Sequence, residues 1–129
     1  MLVTACVLAG LAALVHVYIF VIEALQFEKP STLRTFGIKA ADAAVLKPVF
    51  YNQGFYNLFL AVGTVVGIAL VPSGEDPGVA LIVFGTGSML AAALVLLTSD
   101  RSKARAAAVQ GLFPALALLS LLVWAAAGR

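Results

Sequence analysis

Charged residues are scarce in this sequence. Only 11% of its 129 residues are Asp, Glu, Lys or Arg, whereas 63% are hydrophobic. Soluble domains carry about 25% charged residues, so this composition cannot cover a water-facing surface. The eight Lys and Arg residues are spread over several short segments and form no dense basic face of the kind that nucleic-acid binding needs. The composition therefore excludes a soluble domain and argues against a nucleic-acid partner.

Cysteine and histidine each occur once, as Cys6 and His16. A single cysteine excludes an intramolecular disulfide and a cysteine-rich metal site. One histidine supplies one ligand, and no second histidine exists to complete a metal or haem site. We therefore predict no metal site, and the sequence identifies no cofactor.

Long apolar runs occupy most of the chain instead. Each is long enough to cross about 30 Å of hydrocarbon, and none alternates as a barrel strand does, so helices are required. The sequence predicts an all-α polytopic membrane protein, one domain whose four transmembrane helices form an antiparallel bundle. The first connection is predicted to include a short interfacial helix from near Ala40 to before Pro48, and the cluster Pro72–Gly78 makes the second connection. The predicted spans are residues 2–27, 50–71, 79–98 and 106–127.

The basic residues indicate the orientation of these helices. Seven of the eight Lys and Arg residues lie in the first and third connections, whereas the second carries Glu75 and Asp76. By the positive-inside rule, the first and third connections are cytoplasmic and both termini lie outside. Arg129 is the one exception to this distribution.

A few polar residues interrupt the predicted spans. His16 and Glu23 share one face of the first span, and Glu23 lies about 10 Å nearer the cytoplasmic end. Pro114 has no N–H to give to the carbonyl of Gln110, which is left as a free acceptor. Polar groups from three helices thus fall in the cytoplasmic half and predict a polar pocket there. The ligand-binding candidates are Glu23, Asn52, Gln53, Tyr56, Asn57 and Gln110.

Structural roles for the same residues stay open. The amides also fit a purely structural role, in which they bond to one another across helices and hold the bundle together. His16 fits a neutral side chain bonded to a neighbouring helix, or a proton relay with Glu23 through water, substrate or a third group such as Tyr56. Gly63 and Gly67 form a GxxxG pattern that permits close helix packing, either within the bundle or in the homo-oligomer that we expect.

The chain resembles a known family, the bacterial membrane proteins grouped as domain of unknown function family 1304. The resemblance is carried by His16–Ile19 with Glu23, by Asn52–Asn57, and by Gln110 and Gly111 with Pro114 and Ala115; Phe36 and Gly37 also fit. It implies a four-helix integral protein of the bacterial cytoplasmic (inner) membrane, with no activity established. The family commonly has a glutamate just before the histidine, where this chain has Val15.

Three functions fit these observations. The first is binding of a lipid or other small amphiphile from the bilayer in the pocket, without chemistry. The second is an enzyme acting on a lipophilic substrate, with Glu23 and His16 as the catalytic acid/base candidates. The third is proton-linked transport of a small solute through an oligomer. The outer half of the bundle offers few polar residues, which favours a one-sided pocket.

Overall fold

The computed structural model describes residues 1–73 and 75–128, with the side chain of Glu75 excepted. Gly74 of the predicted second connection and Arg129, the exception to the charge distribution, lie outside the described residues. The described part contains five α-helices and no strand, and four of the helices are long and apolar enough to cross a membrane. The all-α prediction is confirmed. The helices are α1 (Leu2–Phe20), α2 (Pro30–Phe36), α3 (Ala43–Leu70), α4 (Glu75–Ser99) and α5 (Ala104–Ala126).

The four long helices form a closed ring in the order α1, α3, α4, α5, in which each contacts the next and α5 returns to α1. Neighbours run antiparallel: a Cβ at Gly10 would lie beside Ile68, and one at Gly54 beside Ala24. The buried interior is rich in alanine, which lets the helix backbones approach closely. The buried alanines are Ala5, Ala9, Ala12, Ala13, Ala43, Ala61, Ala93, Ala107 and Ala117.

Large apolar side chains cover the outside of the ring. Leu14, Phe84 and Leu122 are each about two-thirds exposed, at 66%, 70% and 67%. In water such a surface would be an aggregation hazard, whereas lipid solvates it without cost. The chain is therefore built as a multi-pass membrane protein.

Helix α3 begins earlier than the sequence predicts. The short helix expected to end before Pro48 is instead the first part of α3, which continues through Pro48 to Leu70. Pro48 is the sixth residue of α3, and its missing N–H affects only the carbonyl of Ala44, which lies on an exposed turn. The short helix of the first connection is α2, with Pro30 in its first turn.

The second connection is shorter than predicted. Helix α4 begins at Glu75, so Pro77 lies in its first turn, where a missing N–H has no helical acceptor to lose. Gly78 packs against α3, because a Cβ there would lie 2.7 Å from the carbonyl oxygen of Gly67. Gly67 of the GxxxG pattern therefore packs within the chain. A Cβ added at Gly63 would meet no atom of another helix within 4 Å.

Seven basic residues gather at one end of the ring, which we call the basic end. This end contains α2, the first turns of α3 and the connection from α4 to α5. With 28 residues, α3 is about 42 Å long, and its first turns extend beyond a 30 Å hydrocarbon layer. The seven are Lys29, Arg34, Lys39, Lys47, Arg101, Lys103 and Arg105.

Candidate functional site

Glu23 lies in a π-helical turn that follows α1, Val21–Leu25. The turn is wider than an α-helical one, and the N–H of Gln26 donates to the carbonyl of Val21, five residues earlier, at 2.9 Å. π-Turns inside α-helices are rare and occur frequently at functional sites. The sequence contains no signal for this turn, which places the carboxylate of the first span against α3.

Asn57 holds one oxygen of this carboxylate. Its side-chain Nδ2 donates to Glu23 Oε2 at 2.9 Å and also to the backbone carbonyl of Gln53 at 3.2 Å. Glu23 is 6% exposed, and its other oxygen, Oε1, has no hydrogen-bond partner among the described residues. A buried carboxylate is costly unless it is bonded, so Oε1 is an acceptor that lacks a donor in the described protein.

Gly54 lets α3 approach the π turn closely enough for this bond. A Cβ at Gly54 would lie 2.9 Å from the Cβ of Ala24 and 3.2 Å from the Cβ of Glu23. Gly54 is buried, and Asn57 lies three residues later on the same helix. The position of the hydrogen bond therefore depends on a residue without a side chain at position 54.

A cavity of about 890 Å³ opens inside the ring at the basic end, and Glu23 is on its wall. Gln53 of α3 and Gln110 of α5 are also on the wall, and neither side-chain amide makes a hydrogen bond to the described protein. The cavity thus brings together three of the predicted site residues from three helices. The apolar part of the wall consists of Ile19, Ile22, Val49, Phe50, Ala92, Leu96, Ala106 and Val109; Tyr18, Thr35, Phe36, Ser102, Lys103 and Arg105 complete it.

Helix α2 lies at the mouth of this cavity and is hydrogen-bonded to the connection between α4 and α5. Lys103 Nζ donates to the carbonyl of Phe36, the last residue of α2, at 2.8 Å. Gly37 ends α2 in the left-handed region at φ 67°, and a Cβ there would lie 3.2 Å from Lys103 Nζ. The N–H of Ile38 closes the helix by donating to the carbonyl of Leu33 at 2.8 Å.

Aromatic rings fix α2 and the π turn to α3. Phe50 lies between Phe27 and Phe36, with ring centroids 4.6 Å and 5.0 Å away. Phe27 and Leu33 are buried in the small apolar cluster that forms beneath the first connection. This cluster lies beside the cavity and holds Phe36 on its wall.

The turn before α5 is capped by Asp100. The backbone N–H and the hydroxyl of Ser102 donate to Asp100 Oδ1 at 3.0 Å and 2.6 Å. These bonds to the ionised form, together with nearby Lys103, lower the pKa of the exposed Asp100 carboxyl. The cap fixes the turn from which Lys103 reaches Phe36.

Two predicted site residues, Asn52 and Tyr56, are not brought to the cavity. Both are exposed on α3, and Tyr56 is 62% exposed. At 100° per residue, Tyr56 lies on the helix surface about a quarter turn from Asn57, so the two do not face the same way. Asn57 contributes through its bond to Glu23 rather than as part of the cavity wall.

His16 is fully buried and lies outside the cavity wall. Its Nδ1–H donates at 2.9 Å to the carbonyl of Ala12 in the same helix, rather than to the neighbouring helix that the sequence predicts. Among the described residues, Nε2 is the one buried side-chain N or O atom without a hydrogen-bond partner. His16 and Glu23 are seven residues apart, about 10 Å along the axis, so no direct bond joins them.

Sequence reasoning missed the basic part of the wall. In the sequence, Lys103 and Arg105 stand out only as topology signals, and Tyr18 only as part of the family resemblance, whereas all three are on the wall. The signal that points to them is their position, because both basic residues flank the start of the span that carries Gln110. In the part of the chain that the structure describes, no three His, Cys, Asp or Glu residues are placed to hold a metal ion.

Comparison with curated protein sequences and with solved structures finds no match to this chain. A family profile does match, and it covers residues 10–122, which include the π turn, the whole of α3 and α4 and all the cavity-lining residues. The family is described as a protein of unknown function, DUF1304. This coverage confirms the resemblance that rests on Glu23, Asn52–Asn57 and Gln110. The chain therefore belongs to the DUF1304 family of proteins of unknown function.

Proposed function

We propose that this membrane protein binds a lipid or another small amphiphile in the cavity at the basic end. The observation that carries the proposal is the convergence of Glu23, Gln53 and Gln110 on a cavity of about 890 Å³. Ligand sites of small molecules are concave, range over about 300–1,000 Å³, and combine apolar walls with a few polar groups. This cavity has that size and composition.

The hydrogen bonds favour a ligand site over a purely structural role for the amides. If the amides held the bundle together, Gln53 and Gln110 would bond to each other or to neighbouring helices. Only Asn57 makes such an inter-helix bond, to Glu23, whereas the amides of Gln53 and Gln110 have no partner in the described protein. Unpaired amides beside an open carboxylate oxygen suit a ligand that completes their hydrogen bonds.

The alternatives receive less support. Acid/base catalysis would use Glu23 or His16, and of these two groups only Glu23 is on the cavity wall, so His16 is not placed to act on a substrate bound there. A transport path needs free polar groups in the other half of the bundle. There Thr64 and Thr86 donate to carbonyls of their own helices, at 2.8 Å to Leu60 and 2.6 Å to Ile82.

Filling the cavity tests the proposal. In Ala92→Phe a ring replaces a methyl group on the cavity wall, whereas Ala91→Phe places the same ring at the neighbouring exposed position of α4. Both variants and the unaltered protein are extracted gently from their own membrane, and bound amphiphiles are identified by native mass spectrometry. We expect Ala92→Phe to lose the bound amphiphile and Ala91→Phe to keep it. Equal retention by both variants would refute the proposal.

A further inference from the structure

The cavity wall carries hydrogen-bond acceptors and cationic side chains on different residues. Glu23 provides an acceptor in Oε1. Gln110 also lines the cavity, and its backbone carbonyl receives no N–H from residue 114, which is proline. Cations are provided by Lys103 and Arg105, which we call the basic rim. Gln110 lies five residues beyond Arg105 on α5, about 7 Å deeper in the bundle.

Glu23 has no cationic partner among the described residues. No Lys or Arg nitrogen of the described residues lies within 4.0 Å of its carboxylate, and the ion pair that forms nearby joins Lys47 to Glu28 at exposed positions. The ammonium of Lys103 is directed to the carbonyl of Phe36 instead. A carboxylate removed from water is stabilised best by a charged donor, and the cavity is the space from which such a donor can reach Oε1.

The basic rim has unused donors. Lys103 uses one N–H on Phe36 and keeps two, and Arg105 makes no hydrogen bond within the described protein. A guanidinium and an ammonium on the wall of one cavity suit the oxygens of a phosphate group, because the arginine fork binds two of them at once. Among the described residues, Glu23 is the one acidic residue on the wall, and Asp100, which lies near Lys103, is outside it.

We infer that the cavity binds a zwitterionic amphiphile whose headgroup carries both a primary ammonium and a phosphate, the chemistry of an aminophospholipid. The ammonium bonds to Glu23 Oε1 and the phosphate to Arg105 and Lys103, while the acyl chains follow the apolar wall. Tyr18, Phe36 and Phe50 add aromatic faces, which attract an alkylammonium group. This inference rests on the proposed function and specifies its ligand.

Headgroup competition tests the inference. The purified protein is mixed with equal amounts of phosphatidylethanolamine, phosphatidylglycerol and phosphatidylcholine that have identical acyl chains, and bound lipids are counted by native mass spectrometry. Phosphatidylglycerol lacks the ammonium, and the quaternary ammonium of phosphatidylcholine has no N–H. We expect the ethanolamine lipid to be retained roughly tenfold over each of the others, as one charge-assisted hydrogen bond implies.

Two variants separate the two charges. Glu23→Gln is expected to reduce retention of the ethanolamine lipid to that of the glycerol lipid. Arg105→Gln, at an exposed position, is expected to weaken both lipids alike, roughly tenfold, because both carry a phosphate. Glu28→Gln is the matched control, since it removes a carboxylate outside the cavity and is expected to leave the preference unchanged.

The outcomes distinguish this inference from the proposed function. Equal retention of phosphatidylglycerol, with no effect of Glu23→Gln, would overturn the zwitterionic ligand while leaving amphiphile binding intact. Water-soluble phosphoethanolamine, which has the same charges without acyl chains, is expected not to displace the lipid. Displacement at equal concentration would overturn the requirement for an amphiphile. Loss of lipid binding in Ala92→Phe and loss of selectivity in Glu23→Gln, with Ala91→Phe and Glu28→Gln unaffected, would support both conclusions.

Discussion

Glu23 is the residue on which the site depends. It is the carboxylate buried among the helices, and the structure gives it one amide partner, one open oxygen and a place on the cavity wall. The sequence predicts its importance, because an ionisable residue within a span is costly and rare. The bond to Asn57 could not be predicted, since the relative rotation of α1 and α3 decides which of four polar residues in Asn52–Asn57 reaches the carboxylate.

Removal of the amide at Asn57 is expected to destabilise the protein. Asn57→Leu leaves Glu23 Oε2 buried without its donor, and an unpaired buried group of this kind costs about 1–3 kcal/mol. Asn52→Leu, the same substitution at an exposed position outside the cavity, is the control and is expected to be neutral within about 0.5 kcal/mol. Thermal unfolding in one detergent measures both. Equal losses in the two variants would contradict a specific Glu23–Asn57 bond.

The elements were predicted more completely than their contacts. Hydropathy locates four spans because about 20 apolar residues must cover the hydrocarbon layer, whatever their neighbours are. The π turn and the continuation of α3 through Pro48 could not be predicted. Both depend on tertiary context: α3 must pack on the turn at Gly54, and the carbonyl freed by Pro48 must lie where water reaches it.

A substitution at Gly54 tests the contact between α3 and the π turn. In Gly54→Ala the new methyl group meets Ala24 Cβ at 2.9 Å, so α3 must move away from the π turn, and overpacking of this kind costs about 1–3 kcal/mol. We also expect the amphiphile to be lost, because Asn57 moves with α3. Native mass spectrometry and thermal unfolding measure the two effects.

Gly63→Ala is the matched control on the same helix. A Cβ at Gly63 meets nothing within 4 Å, so the substitution is expected to be neutral or to stabilise α3 by up to about 1 kcal/mol through helix propensity. A destabilised Gly63→Ala would show that residue 63 packs against another copy of the chain. A Gly54→Ala protein as stable as the unaltered one would contradict the close approach at the π turn.

At the scale of the whole molecule, the cavity lies at the basic end, where residues of all five helices form its wall. The sequence predicts polar residues at this depth from three helices, and Glu23, Gln53 and Gln110 are on one wall. The sequence does not predict that α2 reaches the mouth of the cavity. The hydrogen bond that holds it there joins Lys103 to Phe36, which are 67 positions apart in the chain. The sequence also does not reveal the basic rim, because the positive-inside rule alone explains lysine and arginine at helix ends, whether or not they bind a ligand.

Orientation decides which leaflet supplies the ligand, and it is directly measurable. The seven basic residues of the basic end predict that this end is cytoplasmic. Ser31 in α2 and Ser73 at the opposite end are both exposed, so each is changed to cysteine in a chain in which Cys6→Ala removes the native thiol. In intact spheroplasts a membrane-impermeant maleimide is expected to label Ser73→Cys at once and Ser31→Cys only after permeabilisation. The reverse pattern would place the cavity on the outer side, and an amphiphile would then enter it from the outer leaflet.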